Sequence, residues 1–321
     1  MALNKRIVLP SVIAVVILVL VLVYHQSLAG WWQIYSVVVL QALVSGLFMG
    51  GIYSLIAIGF TLIFGVLGII NFAQGALMVV GMYVTFWLFR TYGIDPYLSL
   101  PISVLVLFLV GVLIQRFTIR PIMDAPAHNQ LLLTLGITLF IVNLILVLFK
   151  ADPRIIQSGI SGTRMFIGEV MISFPRLVAF GGGITMATAL FLFMGRTDLG
   201  KAIRASTEER EGSALVGINV KRIHLIAFGL GAACAGVAGT LMTPFFTLTP
   251  TAGDTFIMIM FAVVVLGGMG NMLGSLLGGI IIGLVESLGA IFLPGSSRLL
   301  GVFLVFILVL LFRPTGLLGG K

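Results

Sequence analysis

Apolar residues run along this chain in long blocks, and short segments between the blocks hold nearly all of its charge. The blocks fall at 7–24, 36–64, 68–89, 98–119, 130–149, 174–194, 225–245, 255–270, 273–293 and 297–312. A helix needs about 20 apolar residues to cross the hydrocarbon of a bilayer. The pattern therefore predicts an all-α integral membrane protein with about 8–10 transmembrane helices, some of them broken or re-entrant. The block 36–64 is too long for one straight span, and Gly46, Gly50, Gly51, Gly59 and Gly65 predict a tilt or break in it. The run Gly267-Gly268-Met269-Gly270-Asn271 divides 255–293, so either part reads as a half-helix.

The first block follows Lys5 and Arg6 in the manner of a secretion signal. It is long for a signal core, however, and no small-residue cleavage site stands out after it; His25-Gln26-Ser27-Leu28-Ala29 is a weak match. It is read as an uncleaved first helix, giving an N-terminal extra transmembrane helix and external loop over 1–35 and a membrane domain over 36–321.

Composition narrows the class. Only 9% of the 321 residues are charged and 60% are hydrophobic, with a mean hydropathy of +1.23. A soluble domain carries about 25% charged residues, so most of this surface must face lipid or apolar protein. The net charge of +8 and pI near 10.1 suggest nucleic acid, but the basic residues lie in short loops, where they set topology. With the N-terminus cytoplasmic, about two-thirds of the 18 Lys and Arg face inward. That places both termini in the cytoplasm, 150–173 outside and 195–224 inside. Cys234 sits among small apolar residues, which leaves no disulfide or thiolate metal site.

Of the ten acidic residues, Glu286 alone falls inside a block. Ionisable groups within a membrane are expensive and usually functional, and a proton-coupled carrier generally needs several. Glu286 admits two readings: a place on the permeation path, or a satisfied position near an external helix end beside Ser287. His25, His128 and His224 stand at block ends without a metal-ligand partner. No Gly-rich phosphate loop followed by Lys is present. The chain reads as a non-enzyme without a cofactor of its own, and any ATP would be bound by another chain.

Segment 195–224 predicts two short helical pieces. Leu199–Ala205 prolongs a span; Ser206 or Thr207 then caps a second helix, with Glu208 and Glu209 favourable at its positive end. Gly217 ends it. Such a helix, parallel to the membrane, is either a docking knob for a cytoplasmic partner or a solvated linker.

Several stretches carry a family resemblance. Glu211-Gly212-Ser213, three residues and Gly217 resemble the EAA-x3-G coupling motif of bacterial ABC importer permeases, with Gly and Ser replacing the alanines. Gly51–Gly65 (GIYSLIAIGFTLIFG), Ile70–Gly75 (INFAQG), Gly267–Asn271 with Gly274–Gly279, and Arg313–Gly319 (RPTGLLG) resemble the branched-chain amino acid permease of the LivH type. The match runs from about residue 36 to the C-terminus. It implies a bacterial inner-membrane complex: this permease, a paralogous LivM-type permease, two ATP-binding subunits and a periplasmic solute-binding protein. It further implies that 206–217 docks on an ATPase.

Asn71 and Gln74, three residues apart, share a helix face in an apolar setting. They either line the substrate path with Gly75 or fix helix packing. Leu67-Gly68…Gly75-Ala76-Leu77 and Leu266-Gly267…Gly274-Ser275-Leu276 are equally spaced, with Asn71 and Asn271 almost in register. That pattern reads either as a faint repeat joining two broken helices near the midplane or as coincidence in a Gly-rich chain. Gly267, Gly268, Asn271 and Glu286 complete the candidate path. The competing functions are a sister importer for urea, short amides or aromatic carboxylates, and a stand-alone ion-coupled carrier or channel.

Overall fold

The computed structural model describes residues 28–292 and 298–319, and the first apolar block lies outside them. The other nine blocks each fall on a helix. They are α1 (Leu28–Leu67), α2 (Gln74–Tyr92), α3 (Leu100–Ile114), α4 (Ala127–Phe149), α5 (Phe174–Arg196), α8 (Val220–Met242), α9 (Ala252–Gly267), α10 (Met272–Phe292) and α11 (Arg298–Phe312). Two short helices, α6 (Asp198–Glu208) and α7 (Arg210–Leu215), lie between α5 and α8. Six of the described helices are long and apolar enough to span a membrane, and two further apolar ones are shorter. This is a multi-pass, all-α membrane protein.

The expected break inside 36–64 is absent: α1 is one helix of 40 residues, about 60 Å long. Its glycines serve contact instead. A Cβ on Gly50 would stand 2.8 Å from Ile280 Cα, and one on Gly46 would stand 2.9 Å from Leu284 Cα. Small residues at four-residue spacing thus let α1 and α10 touch backbone to backbone. Ser54 and Thr61 continue the seam. The Ser54 hydroxyl lies 2.7 Å from the carbonyls of Gly50 and Leu276, and Thr61 and Ser275 share a 2.5 Å hydrogen bond.

Burial orders the helices around this seam. In α1 and α8, 83% of the apolar window is buried, against 22–33% in α3, α4, α5 and α10. The Gly/Ala-rich stretch Gly231–Gly239 explains the central place of α8, since its small side chains admit α1, α2 and α3 on several faces. Thr85 and Thr240 join α2 to α8 by a buried 2.8 Å hydrogen bond.

The loop 150–173 carries a hairpin absent from the sequence reading. Strands β1 (Arg164–Ile167) and β2 (Val170–Ser173) pair antiparallel around Gly168. The Gln41 side chain clamps the hairpin to α1, donating to the Met171 carbonyl at 2.6 Å and accepting from the Met171 N–H at 2.8 Å.

Candidate transport path and coupling surface

Two cavities lie at opposite ends of α1. One, of about 250 Å³, is bounded by Gln41, Ser45, Arg164 and Arg176. The other, of about 540 Å³, is bounded by Thr61, Gly65, Arg204, Thr207, Glu208 and Asn271. Gln41 and Thr61 are separated by about 30 Å of helix, the thickness of the hydrocarbon. Between them the Gly/Ser seam closes α1 against α10.

Glu286 sits within that closed stretch. It is buried and accepts a 2.5 Å hydrogen bond from the Tyr53 hydroxyl. The bond runs from α1 to α10, so Glu286 is tied into the seam rather than facing water at a helix end.

Asn71 and Gln74 are also completely buried. The Asn71 side chain accepts from the Ala73 N–H at 3.1 Å, and the Gln74 amide donates to the Gly231 carbonyl at 2.9 Å. Gly231 lies about 17 Å along α8 from its start, so α2 begins deep in the bundle and residues 68–73 re-enter it. Gly75 there meets Gly253, the second residue of α9. Two helices therefore begin side by side in the interior. The partner of the first break is the start of α9, not the second break that the repeat pattern suggested.

The second break closes on itself and on the chain's C-terminal tail. Gly267 packs directly on Gly274. Leu317 and Leu318 donate backbone hydrogen bonds to the Leu266 and Gly267 carbonyls at 2.7 and 3.1 Å. Gly268, at φ 104°, lies against Gly319, an approach and a conformation that only glycine tolerates. Asn271 accepts from the Gly274 N–H at 3.0 Å, as an N-cap of α10 does, and donates to the Leu318 carbonyl at 3.0 Å. The motifs 267–271 and 313–319, separate in the sequence, are two halves of one contact. Asn271→Ala removes both bonds. It is expected to destabilise the fold by about 1–2 kcal/mol, read as a lower melting temperature and faster proteolysis of the tail.

At the same end of α1 stand α6 and α7. Thr197 caps α6 by accepting from the Gly200 N–H at 3.0 Å. The second helix begins later than expected, at Arg210. The reason is that Thr207 turns its hydroxyl back to the Ile203 carbonyl at 3.0 Å, inside α6, and so is not a cap. The chain breaks at Glu209, with φ −148°. The end of α7 falls as predicted. Ile218 donates to the Ser213 carbonyl and Gly217 to that of Ala214, with Gly217 at φ 86°, which is the Schellman arrangement. Ser213 is buried, Gly212 is half-buried and Glu211 is exposed. Beside them Leu215 and Val216 are 89% and 77% exposed. Sequence reading missed this apolar pair, whose signal was two large apolar residues just before the terminating glycine.

A family model described as the branched-chain amino acid transport system permease component matches residues 42–312. The high-affinity branched-chain amino acid transport permease BraD of Pseudomonas aeruginosa is 33% identical over 296 residues, covering 87% of this chain and 95% of that one. LivH of Escherichia coli is 31% identical over 294 residues, covering 87% and 95%. LivM of the same organism, a permease of the same transport system by its name, is 26% identical over 298 residues, covering 83% and 68%. No solved structure matches. The chain belongs to the branched-chain amino acid transport permease family.

Proposed function

We propose that this chain is one of two permease subunits in a bacterial ABC importer for branched-chain or related amino acids, driven by ATP hydrolysis in partner subunits. The observation that carries this reading is the surface around α7. Leu215 and Val216 stand out from a six-residue helix beyond the membrane-spanning segments. Large apolar side chains so placed fit a groove on a partner better than water. Glu211 and Gly212 flank them, while Thr207 and Glu208 line the cavity that Asn271 and Gly65 also bound. A movement of α7 therefore reaches the end of α1 and the tail contact through adjoining residues.

On this reading the Leu67 end of α1 is cytoplasmic and the chain lies in the inner membrane with both termini inside. The β1–β2 hairpin then faces the solute-binding protein. One of the two ATP-binding subunits meets α6 and α7, and a LivM-type permease completes the path, which this chain closes on its own along the Gly/Ser seam. We assign Asn71, Gln74 and Glu286 to packing that holds the path's wall, and Gly75, Gly267 and Gly268 to the close helix contacts beside it.

Proteoliposomes holding this permease, its paralogue and two ATPases are expected to take up labelled leucine only with ATP and the binding protein present. Leucine flux through the chain alone would point to a stand-alone carrier or channel. The importer, supplied with binding protein loaded with urea, a short amide or an aromatic carboxylate, would accumulate that solute instead of leucine if the sister specificity holds.

A further inference from the structure

A third cavity, of about 780 Å³, opens between α2, α3 and α4. Its walls are almost wholly apolar: Val84 and Val110 on one side, Ile137 and Ile141 on the other. Along α4 it runs from Leu133 to Leu148, about 22 Å of helix. That is the length of an extended acyl chain in an ordinary membrane lipid. The cleft exists because α4 stands off the bundle, with only 22% of its apolar window buried.

One end of the cleft is different. Tyr83 and Trp87 line it, and the Tyr83 ring stacks on Phe149 at 5.0 Å. The Arg154 guanidinium lies 5.6 Å from the Trp87 ring and 6.0 Å from that of Phe149. Tyr83 is 2% exposed. Among the described residues its hydroxyl, the Trp87 Nε1–H and the Arg154 Nε–H all lack a hydrogen-bond partner. Three donors clustered without an acceptor are costly to leave unmet.

We propose that this cleft binds one membrane phospholipid. An acyl chain lies along α4, while ester carbonyl and phosphate oxygens accept from Tyr83, Trp87 and Arg154. A helix of a partner subunit would fill the apolar part but leave the donors unmet, because its carbonyls are engaged within the helix. A free amino acid would bring a carboxylate, but its ammonium needs acceptors, and the Trp and Arg groups are donors only. Trp87 and Arg154 also stand where α4 ends, the level at which aromatic and basic residues meet lipid headgroups.

The test uses the full chain in detergent with Trp31→Phe and Trp32→Phe, which leaves Trp87 as the single tryptophan of the three. Brominated dioleoyl-phosphatidylethanolamine is added, Trp87 quenching is followed, and native mass spectrometry counts retained lipid. One lipid per chain is expected. Tyr83→Phe with Arg154→Gln should weaken binding about tenfold or more. Gly136→Leu should abolish it, because a side chain at Gly136 projects into open space with nothing within 4 Å of its Cβ. Gly136→Ala, which leaves the cleft open, should keep the lipid. Undiminished retention in both Gly136→Leu and the donor variant would overturn the proposal. So would displacement of the lipid by leucine, or efficient cross-linking of Gly136→Cys to the second permease in the assembled complex.

Discussion

Leu215→Asp combined with Val216→Asp is expected to lower ATP-driven uptake at least tenfold while the chain still inserts and melts at its usual temperature. The two positions are 89% and 77% exposed, so charge there disturbs little within the chain; exposed substitutions usually stay within about 0.5 kcal/mol. A docking groove on an ATPase has no such tolerance, since an apolar anchor at the centre of an interface is typically worth about 2 kcal/mol or more. Uptake by the reconstituted complex, co-purification of the ATPase and thermal melting of the isolated chain separate the two effects. Wild-type uptake from the double variant would remove α7 from the coupling role.

The shape of α7 sharpens this expectation. Six residues are too few for a helix stable in isolation, and α7 is fixed by what surrounds it. Ser213 is buried against the body of the chain, and the turn at Gly217, with φ 86°, closes its end. Gly217→Val forces a branched side chain into a left-handed conformation at a position with open space around it. The strain, not a clash, should tilt or unwind α7. Uptake should fall with ATPase binding, in parallel with the aspartate pair.

Much of this molecule is legible from its periodicity and little from its propensities. Apolar blocks locate helices because a membrane leaves the backbone no other way to meet its hydrogen bonds. Gly46 and Gly50, read in sequence as a tilt or break, instead meet Gly283, Gly279 and Ile280 in the close α1–α10 seam, because small residues at four-residue spacing let backbones touch. What spacing does not carry is the identity of a partner. Gly75 finds Gly253 because residues 68–73 re-enter the bundle, a path set by tertiary packing. Asn271 reads as a path residue in sequence; in space it bounds the cavity at the Leu67 end of α1 and is also a cap and a tether, a role hidden because its acceptor, Leu318, comes from 47 residues away. Glu286 raises the same difficulty: a lone acid in an apolar block does not reveal that Tyr53, 233 positions earlier, stands 2.5 Å from it. The boundary of α7 slips for a local reason, the use of Thr207 within α6, which competes with capping at low energy difference.

Gly75→Ala is expected to destabilise the chain by about 1–3 kcal/mol or more, and Gly75→Leu to prevent its accumulation in the membrane. A Cβ on Gly75 would run into the Gly253 carbonyl, and one on Gly253 would stand 2.7 Å from the Gly75 carbonyl carbon and oxygen and 3.1 Å from the Ala76 nitrogen. These are backbone atoms at the starts of two helices, so no side-chain rotation relieves the overlap. Separation of α2 from α9 is the only response, and it pulls Gln74 away from the Gly231 carbonyl, leaving buried amide groups without partners. Gly136→Ala in α4 supplies the contrast. Its Cβ meets nothing within 4 Å, and alanine is the better helix former by about 1 kcal/mol, so that variant should melt no lower than the parent. The two interior positions share one contact, so Gly75→Ala with Gly253→Ala should be less damaging than the sum of the single changes, once the helices have already parted. Equal melting temperatures for Gly75→Ala and Gly136→Ala would mean that α2 and α9 do not begin side by side, and with that the wall assigned to the transport path would lose its inner edge.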